Sequence, residues 1–557
     1  ASAAARFAEP AIWIAAERLP QFQALFPTAQ FDPPIAVPPD LADVIYDREY
    51  AIKEIARGRL EGLGPVSAIA LATPLRLPVA EIEIALAALE AEGFVLRGSF
   101  TPDSQQQEWC ERRLLGRVHR YTVKKLREQI EPVPAADFLR FLFDWQHVAP
   151  DSRLQGPDAP AVIASQLEGF EAAAAAWETE ILPARVEGYE PDWLDDLCLA
   201  GRVAWARLSP LRPSVESERG PSPVKTTPIA ILGRRHSSLW HALAGNGSVP
   251  ALSSRAQALA DFLTRQGASF FDEIVEGAGL LRTQAEEALA ELVALGLVNS
   301  DSFSGLRALL VPSERRPGFA GARRRGRTSI YGIEDAGRWT LSRRALTAPS
   351  LGEARGYSSA PIVSPFPADQ GSGGRGIPHP SRERGGGEGR RRGEERDLDA
   401  LEHVARTLLN RWGVVFWRLL EREPKWLPPW RELLRVYRRL EARGEIRGGR
   451  FVAAMSGEQF ALPEAVGLLR EVRRRDKPGM LVAVSAADPL NLAGIAVPGS
   501  RVPALTGNRV LYRDGVPLAV LIAGDISFLQ PLDPHALWQA RNALVKRQVP
   551  PLLAYLG

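Results

Sequence analysis

The sequence predicts an α+β, multi-domain chain of tandem winged-helix modules with a small C-terminal β-barrel. Three observations carry that reading. A length of 557 residues suits three to five domains rather than one. Three short amphipathic helices followed by an alternating strand return three times along the chain. Beyond residue 480 the helical period gives way to short apolar runs divided by turn residues. Asp514-Gly515 between two such runs is a strong hairpin signal.

Residues 1–46 are rich in proline with little period, and read as an extended segment holding one short helix at best. The first module spans 47–104. Its helix 48–60 places Ile52, Ile55, Ala56 and Leu60 on one face and stops at Gly62 and Gly64. A short helix follows at 67–71, Pro78 opens a third, and 94–100 alternates as a wing strand. Residues 105–200 form a helical, winged-helix-like region, with helices at 108–128, 135–145 and an alanine-rich 161–177. Residues 201–250 read as a β-rich connector with strands at 202–208 and 227–232.

The second module spans 251–312, with helices at 254–266, 270–278 and 283–295. Residues 296–298 and 307–311 frame its wing across Ser304-Gly305. A basic β segment, 313–360, follows, then a disordered Gly/Arg-rich insertion at 361–396. The third module, 397–463, has helices at 401–411, 414–420 and 429–443 and a wing at 445–453 turning at Gly448-Gly449. Trp412, Trp417, Trp426 and Trp430 suit its core. Residues 464–557 close the chain with a helix at 464–474, strands at 481–484, 494–497, 509–513 and 517–523, and a helix at 534–546.

Composition narrows the function. Apolar residues at 45% and charged residues at 24% are those of an ordinary globular protein. A formal net charge of only +3 requires any nucleic-acid footprint to be local. Two cysteines, Cys110 and Cys198, supply neither a disulfide framework nor a zinc site, and a reducing, cytoplasmic compartment is expected. No apolar run reaches eighteen residues, so no membrane partner is expected. The chain lacks a phosphate loop, a G-x-G-x-x-G after a strand, a G-x-S-x-G and an H-E-x-x-H. No two of the seven histidines sit at metal-ligand spacing on one helix face; His236 and His241, five apart, align on neither helix nor strand. Neither a metal nor a cofactor is expected in this chain.

Several segments resemble the large helicase-related (Lhr) proteins. These are residues 109–122, Glu131-Pro132-Val133, Trp145-Gln146-His147, Gly449-Arg450-Phe451-Val452, residues 456–460, and Ala487-Asp488-Pro489-Leu490-Asn491-Leu492. The resemblance follows the order of that family's long C-terminal region and covers nearly the whole chain apart from 371–393. It implies an ATP-dependent 3′-to-5′ DNA helicase of superfamily 2 acting in repair, with ATP and Mg²⁺ held by a motor that precedes this part. It also implies an oligomer, a homotetramer, and kinship with winged-helix DNA glycosylases.

A winged helix reads DNA when its third helix offers basic or polar side chains. The first copy carries Glu81, Glu83, Glu90 and Glu92 there, and the second Glu286, Glu287 and Glu291 against Arg282 alone. Both repel phosphate and suit protein contact. In the third copy Arg431, Arg435 and Arg438 share one face, with Arg439 beside them, and Arg443, Arg447 and Arg450 continue toward the wing. Arg113, Arg117, Arg120 and Lys124 make a second basic row on the predicted helix 108–128, extended by Arg127. That row suits phosphate tracking on single-stranded DNA or a tailed duplex. The bland reading of both rows is a solvated face. A glycosylase is the alternative function and needs an acid or amide at a base pocket. Candidates by type are Asp525, Asp514, Gln146 and Gln459, with Asp525 the first to mutate; its bland reading is a turn residue.

Overall fold

Proline-punctuated as it is, the N-terminal stretch folds. In the computed structural model β1 (Ser2–Arg6), β2 (Ile12–Ala15) and β3 (Gln30–Asp32) form an antiparallel sheet in the order β2-β1-β3, joined by helix α1 (Leu19–Leu25). The expected loose segment is corrected because Ile14, Phe22 and Leu25 have a core to join, alongside Ile52 and Ile55. The structure describes residues 2–6, 12–102, 104–128, 130–209, 224–245, 251–310, 332–342 and 385–546. They fall into two units, Ala1–Gln129 and Ile130–Gly557.

The first unit holds the first winged helix. Helix α2 (Arg48–Leu60) starts where the Asp47 carboxylate accepts the Tyr50 N–H at 2.6 Å. Strand β4 (Val66–Ser67) leads into α3 (Ala68–Leu75), longer than expected, and α4 (Val79–Ala91) follows. β5 (Val95–Gly98) and β6 (Glu108–Glu111) complete a sheet in the order β4-β6-β5. Residues 108–111, expected as helix, are thus the returning wing strand. Helix α5 (Arg112–Glu128) begins only where the Glu111 carboxylate accepts the N–H groups of Arg113 and Leu114 at 2.7 and 2.6 Å.

In the second unit, helices α6 (Ala135–Trp145) and α7 (Ala159–Gln166) precede β7 (Glu171–Ala173) and α8 (Pro191–Leu199). β8 (Val203–Ala206) and β9 (Pro228–Gly233) give a sheet ordered β8-β9-β7, and α9 (Ser237–Ala244) follows. The alanine-rich helix expected over 161–177 is broken. At Gly169, φ is 77° and a Cβ would lie 2.6 Å from the Trp240 ring, so the chain turns there into β7. Ala172, Ala174, Ala175 and Ala176 are buried within the chain.

The second module has α10 (Ser254–Gln266), α11 (Phe271–Ala278) and α12 (Arg282–Ala294), close to expectation. Its wing is not. β10 (Val298–Ser300) is followed by helix α13 (Phe303–Leu310), and β11 (Trp339–Leu341) pairs with β10. Residues 307–310 are helical because Phe303, Leu306 and Leu310 share a buried face with Arg307. The rest of the basic segment, 311–331 and 343–360, and residues 361–384 of the insertion lie outside the described residues.

Helix α14 (Gly385–Trp412) opens the third module, so the backbone of 385–396, expected to be disordered, is helical. β12 (Val414–Val415) and a single 3₁₀ stretch, Trp417–Glu421, replace the expected second helix. α15 (Trp430–Ala442) is followed by β13 (Arg447–Gly449) and β14 (Gln459–Ala461), in the order β12-β14-β13. The wing therefore returns at 459–461 rather than closing at Gly448-Gly449.

Helix α16 (Pro463–Arg474) leads to β15 (Leu481–Ser485), β16 (Arg509–Arg513), β17 (Val516–Ile522) and β18 (Asp525–Phe528), an antiparallel meander in that order, and helix α17 (Pro534–Val545). No closed barrel forms among the described residues. Each face of the sheet is already covered: Leu511, Leu518 and Ala519 pack with Ala540 and Leu544 of α17, while Val482, Val484, Val510 and Tyr512 join the main core. Closure is then unnecessary. Residues 494–497 are not a strand but a turn, closed by the Gly494 N–H to the Val497 carbonyl at 2.9 Å. Asp514-Gly515 is the expected hairpin turn, with φ of 46° and 80°.

Distant segments of this unit are tied by buried ions. Arg307 donates to Glu178 at 2.7 and 2.8 Å and to Asp195 at 2.9 Å, and the Tyr189 hydroxyl also donates to Glu178, at 2.8 Å. Removing the cation leaves two carboxylates buried together, so Arg307→Met is expected to cost about 3–5 kcal/mol in urea unfolding. An unchanged midpoint would contradict the network. His147 provides a pH test. It sits at φ 60° with Nδ1 2.9 Å from the Ser152 carbonyl, and burial pushes its imidazole below the ordinary value. The unfolded chain then takes up the proton first as pH falls below the ordinary histidine value, about 6.5. Stability should decline from neutral pH toward the lower folded value, and His147→Asn, which tolerates the left-handed backbone, should flatten that decline in pH-dependent melting.

Candidate nucleic-acid interface

Helix α15 has one buried and one open face. Leu433, Val436, Tyr437 and Leu440 are fully buried, with Tyr437 stacked on Phe460 at 5.3 Å between centroids. That face fixes the helix, and Arg431, Arg435, Arg438 and Arg439 project from the other, all exposed. Arg443, just past the helix, and Arg447 and Arg450, in and after β13, are exposed as well. Arg438 pairs with Glu458 at 2.7 Å, and Arg443 lies 3.6 Å from Glu402 and Glu445. Arg431, Arg435, Arg439, Arg447 and Arg450 have no carboxylate partner among the described residues. The third helix and wing of this module therefore offer guanidinium groups with free hydrogen-bonding capacity, which suits phosphate oxygens.

The second basic row is also exposed. Arg112, Arg113, Gly116, Arg117 and Arg120 of α5 line an open cleft of about 1000 Å³ with Arg57, Glu92 and Glu111. Glu92 is already engaged by Lys53 and Arg57, whose hydrogen bonds hold its carboxyl below the usual carboxylate range. Glu111 is consumed as the helix cap. Lys124 is exposed further along the helix, and Val118 and Tyr121 are exposed beside the row. An aromatic ring next to a cationic track is the arrangement that stacks an unpaired base.

The acidic third helices spend several of their carboxylates internally, while Glu83 stays exposed. In α4, Glu81 pairs with Arg48 and Glu90 with Arg97; in α12, Glu287 pairs with Arg255, and Glu291 accepts from Ser253. Neither helix presents a basic surface.

The glycosylase candidates do not converge. The Gln459 amide is fully used inside the wing, accepting from the Phe451 and Val452 N–H groups and donating to the Val452 and Met455 carbonyls. Gln146 is buried, donating to the Arg411 carbonyl and accepting from Arg185, which is itself paired with Asp488. Asp514 accepts the Gly479 and Met480 N–H groups in its turn. Asp525 is exposed at the start of β18, after a second tight turn at Ala523-Gly524. Burial pushes the thiols of Cys110 and Cys198 up, so neither is a nucleophile at neutral pH.

One cluster escapes any reading by spacing. Glu168, His236 and His403 converge, with potential ligand atoms all within 4.8 Å of one another. They come from three separate elements, so no local motif announces them.

Two stretches match a family model described as the winged-helix domain of large helicase-related proteins, residues 133–221 and 394–481. A protein of Mycolicibacterium smegmatis named "Lhr helicase/ probable uracil glycosylase" is 27% identical over 442 residues, 78% of this chain and 26% of its own. An Escherichia coli (strain K12) protein named "Lhr helicase/uracil glycosylase" is 25% identical over 546 residues, 92% of this chain and 31% of its own. The chain thus spans about a quarter to a third of the relatives it matches. Among solved structures, Streptomyces sahachiroi DNA glycosylase AlkZ aligns with a TM-score of 0.37 at 12% identity, covering 76% of this chain and 97% of that one. Among the described residues no helix is long and apolar enough to cross a membrane. The chain thus carries two stretches similar to the winged-helix domains of large helicase-related proteins, and both relatives align over most of its length.

Proposed function

We propose that this chain is the nucleic-acid-binding and oligomerising part of an ATP-dependent 3′-to-5′ DNA helicase that acts in cytoplasmic DNA repair. The row of unpartnered arginines on α15 and its wing carries the reading. The basic cleft along α5 supports a track for single-stranded DNA or the tail of a duplex. The sequence holds no phosphate loop, and in this reading ATP and Mg²⁺ are held by a motor outside this chain. Self-association as a homotetramer is part of the proposal and rests on the family resemblance, not on an identified interface. Its check is light scattering: a mass fixed near 61 kDa across a tenfold dilution series, close to the 60.9 kDa of one chain, rejects it.

A second reading, a uracil glycosylase, is favoured by the names of both relatives. Incubating the chain with labelled uracil-containing single-stranded DNA, then alkali, separates the two. Strand cleavage supports the glycosylase, and a mobility shift without cleavage supports binding alone.

The DNA surface has its own test. The triple change of Arg431, Arg435 and Arg438 to Glu should weaken binding across sequences. It should also flatten the salt dependence, since each lost phosphate contact removes roughly 0.7–0.9 from the logarithmic slope. A folded triple variant with an unchanged slope places the contact elsewhere, with the α5 row next to be reversed.

A further inference from the structure

Glu168 lies just beyond α7, His236 ends the short turn Arg234–His236 after β9, and His403 sits within α14. The His236 Nδ1 is 3.0 and 3.3 Å from the two Glu168 carboxylate oxygens, and the His403 Nε2 is 3.7 Å from Oε1. The two imidazole centroids are 4.1 Å apart. Four-coordinate zinc, with bonds of about 2.0–2.2 Å to nitrogen and oxygen, holds its ligand atoms roughly 3.3–3.5 Å from one another. The Glu168 contacts at 3.0–3.7 Å bracket that spacing, and with all ligand atoms within 4.8 Å the cluster is near a metal's ligand shell.

Two further observations point the same way. The His403 Nε2 is buried and makes no well-formed hydrogen bond, its nearest acceptor being the Glu168 carboxylate at 3.7 Å. The carboxylate is also oriented from behind. Trp240 Nε1 donates to Oε1 at 3.0 Å and the Gly233 N–H to the same oxygen at 3.2 Å, while Arg411 holds the Glu168 backbone carbonyl. Such donors behind a ligating carboxylate fix its rotamer and leave its second oxygen for an ion.

We propose that Glu168, His236 and His403 bind one divalent transition-metal ion of the zinc class. Two imidazoles with one carboxylate exclude magnesium and calcium, which take oxygen ligands. The histidine side chains keep 26% and 20% exposure, so water reaches the site and completes the fourth position. The ligands come from three segments far apart in sequence, and the ion clamps the first helix of the third module to the sheet that precedes it.

The experiment uses the full chain, stripped with a chelator and titrated with Zn²⁺ against a chromophoric competitor, then with Co²⁺ to read the visible absorption of a tetrahedral site. One zinc per chain is expected, with a zinc-dependent rise in melting temperature. Trp240→Phe should weaken binding by roughly 10–100-fold, the usual effect of losing an outer partner. The double change His236→Gln with His403→Gln should abolish both the cobalt band and the thermal shift. Wild-type chain that binds neither ion under competition overturns the proposal, whatever the variants do. So does a folded double variant that binds zinc as tightly as wild type. DNA binding is scored separately, so failure here leaves the nucleic-acid reading standing.

Discussion

A buried guanidinium must be matched by a carboxylate, and the second unit is assembled around that requirement. Arg307 meets Glu178 and Asp195, Arg185 meets Asp488 at 2.5 Å, and Arg411 meets Glu423, all with side chains almost fully enclosed. The first two pairings join residues more than a hundred positions apart. Desolvating such a pair offsets much of its Coulomb attraction, so its main consequence is selective: an arrangement that leaves any one member unpaired is several kcal/mol worse. The ions thus specify which helices and strands pack together, while the apolar clusters supply the driving force. Arg185 shows the reach of this arrangement, because it holds Gln146 as well and so links the end of α6, the short helix Leu182–Arg185 and the loop after β15.

The same chemistry separates structural arginines from functional ones. Inside, every guanidinium named above is engaged by acids or carbonyls. On the outer face of α15 Arg431, Arg435 and Arg439 have no carboxylate partner among the described residues, and only Arg438 is paired, with Glu458. Unmatched surface charge costs little in water, so a solvated face would fold equally well. The case for function rests on concentration: five cations without carboxylate partners on one helix and wing, in the module position that reads DNA, beside two sister modules whose third helices carry acids. Pairing those acids internally makes the first two modules poor partners for phosphate even where the local charge approaches neutrality.

Elements specified by their own neighbours were legible in the sequence. Residues 48–60, 135–145 and 254–266 are helices with the expected bounds, because apolar period is local, as are the Asp47 and Ser253 caps of the first and third. The misses depend on distant chain. The β10 partner lies at 339–341, the third wing returns at 459–461, and the N-terminal strands are held only by a core that α2 completes. Residues 307–310 looked like a strand because alternation cannot reveal that Arg307 turns inward to Glu178. The basic rows were found correctly as rows, since helical spacing fixes them. Exposure of the α15 row follows from that helix's buried face, whereas on α5 Val118 and Tyr121 are exposed as well. Glu168, His236 and His403 could not be found by spacing; the nearest signal was the unusual crowding of Trp240 against Gly169 beside them.

The arrangement also explains how a chain with almost no net charge can favour a polyanion. Long-range attraction depends on local potential rather than on the sum, and screening confines that potential to about 8 Å at physiological salt. Within that distance a phosphate near α15 senses chiefly the charges of α15 and its wing, where Arg431, Arg435, Arg438 and Arg439 outnumber the exposed Glu432. Because Leu433, Val436, Tyr437 and Leu440 hold the helix, the backbone beneath those arginines is already ordered before any ligand arrives. Only side-chain freedom is then lost on contact, at roughly 0.5–1.5 kcal/mol for each long side chain immobilised. A mobile arginine-rich tail of the same charge would lose backbone freedom as well, and would bind less tightly for the same number of phosphate contacts.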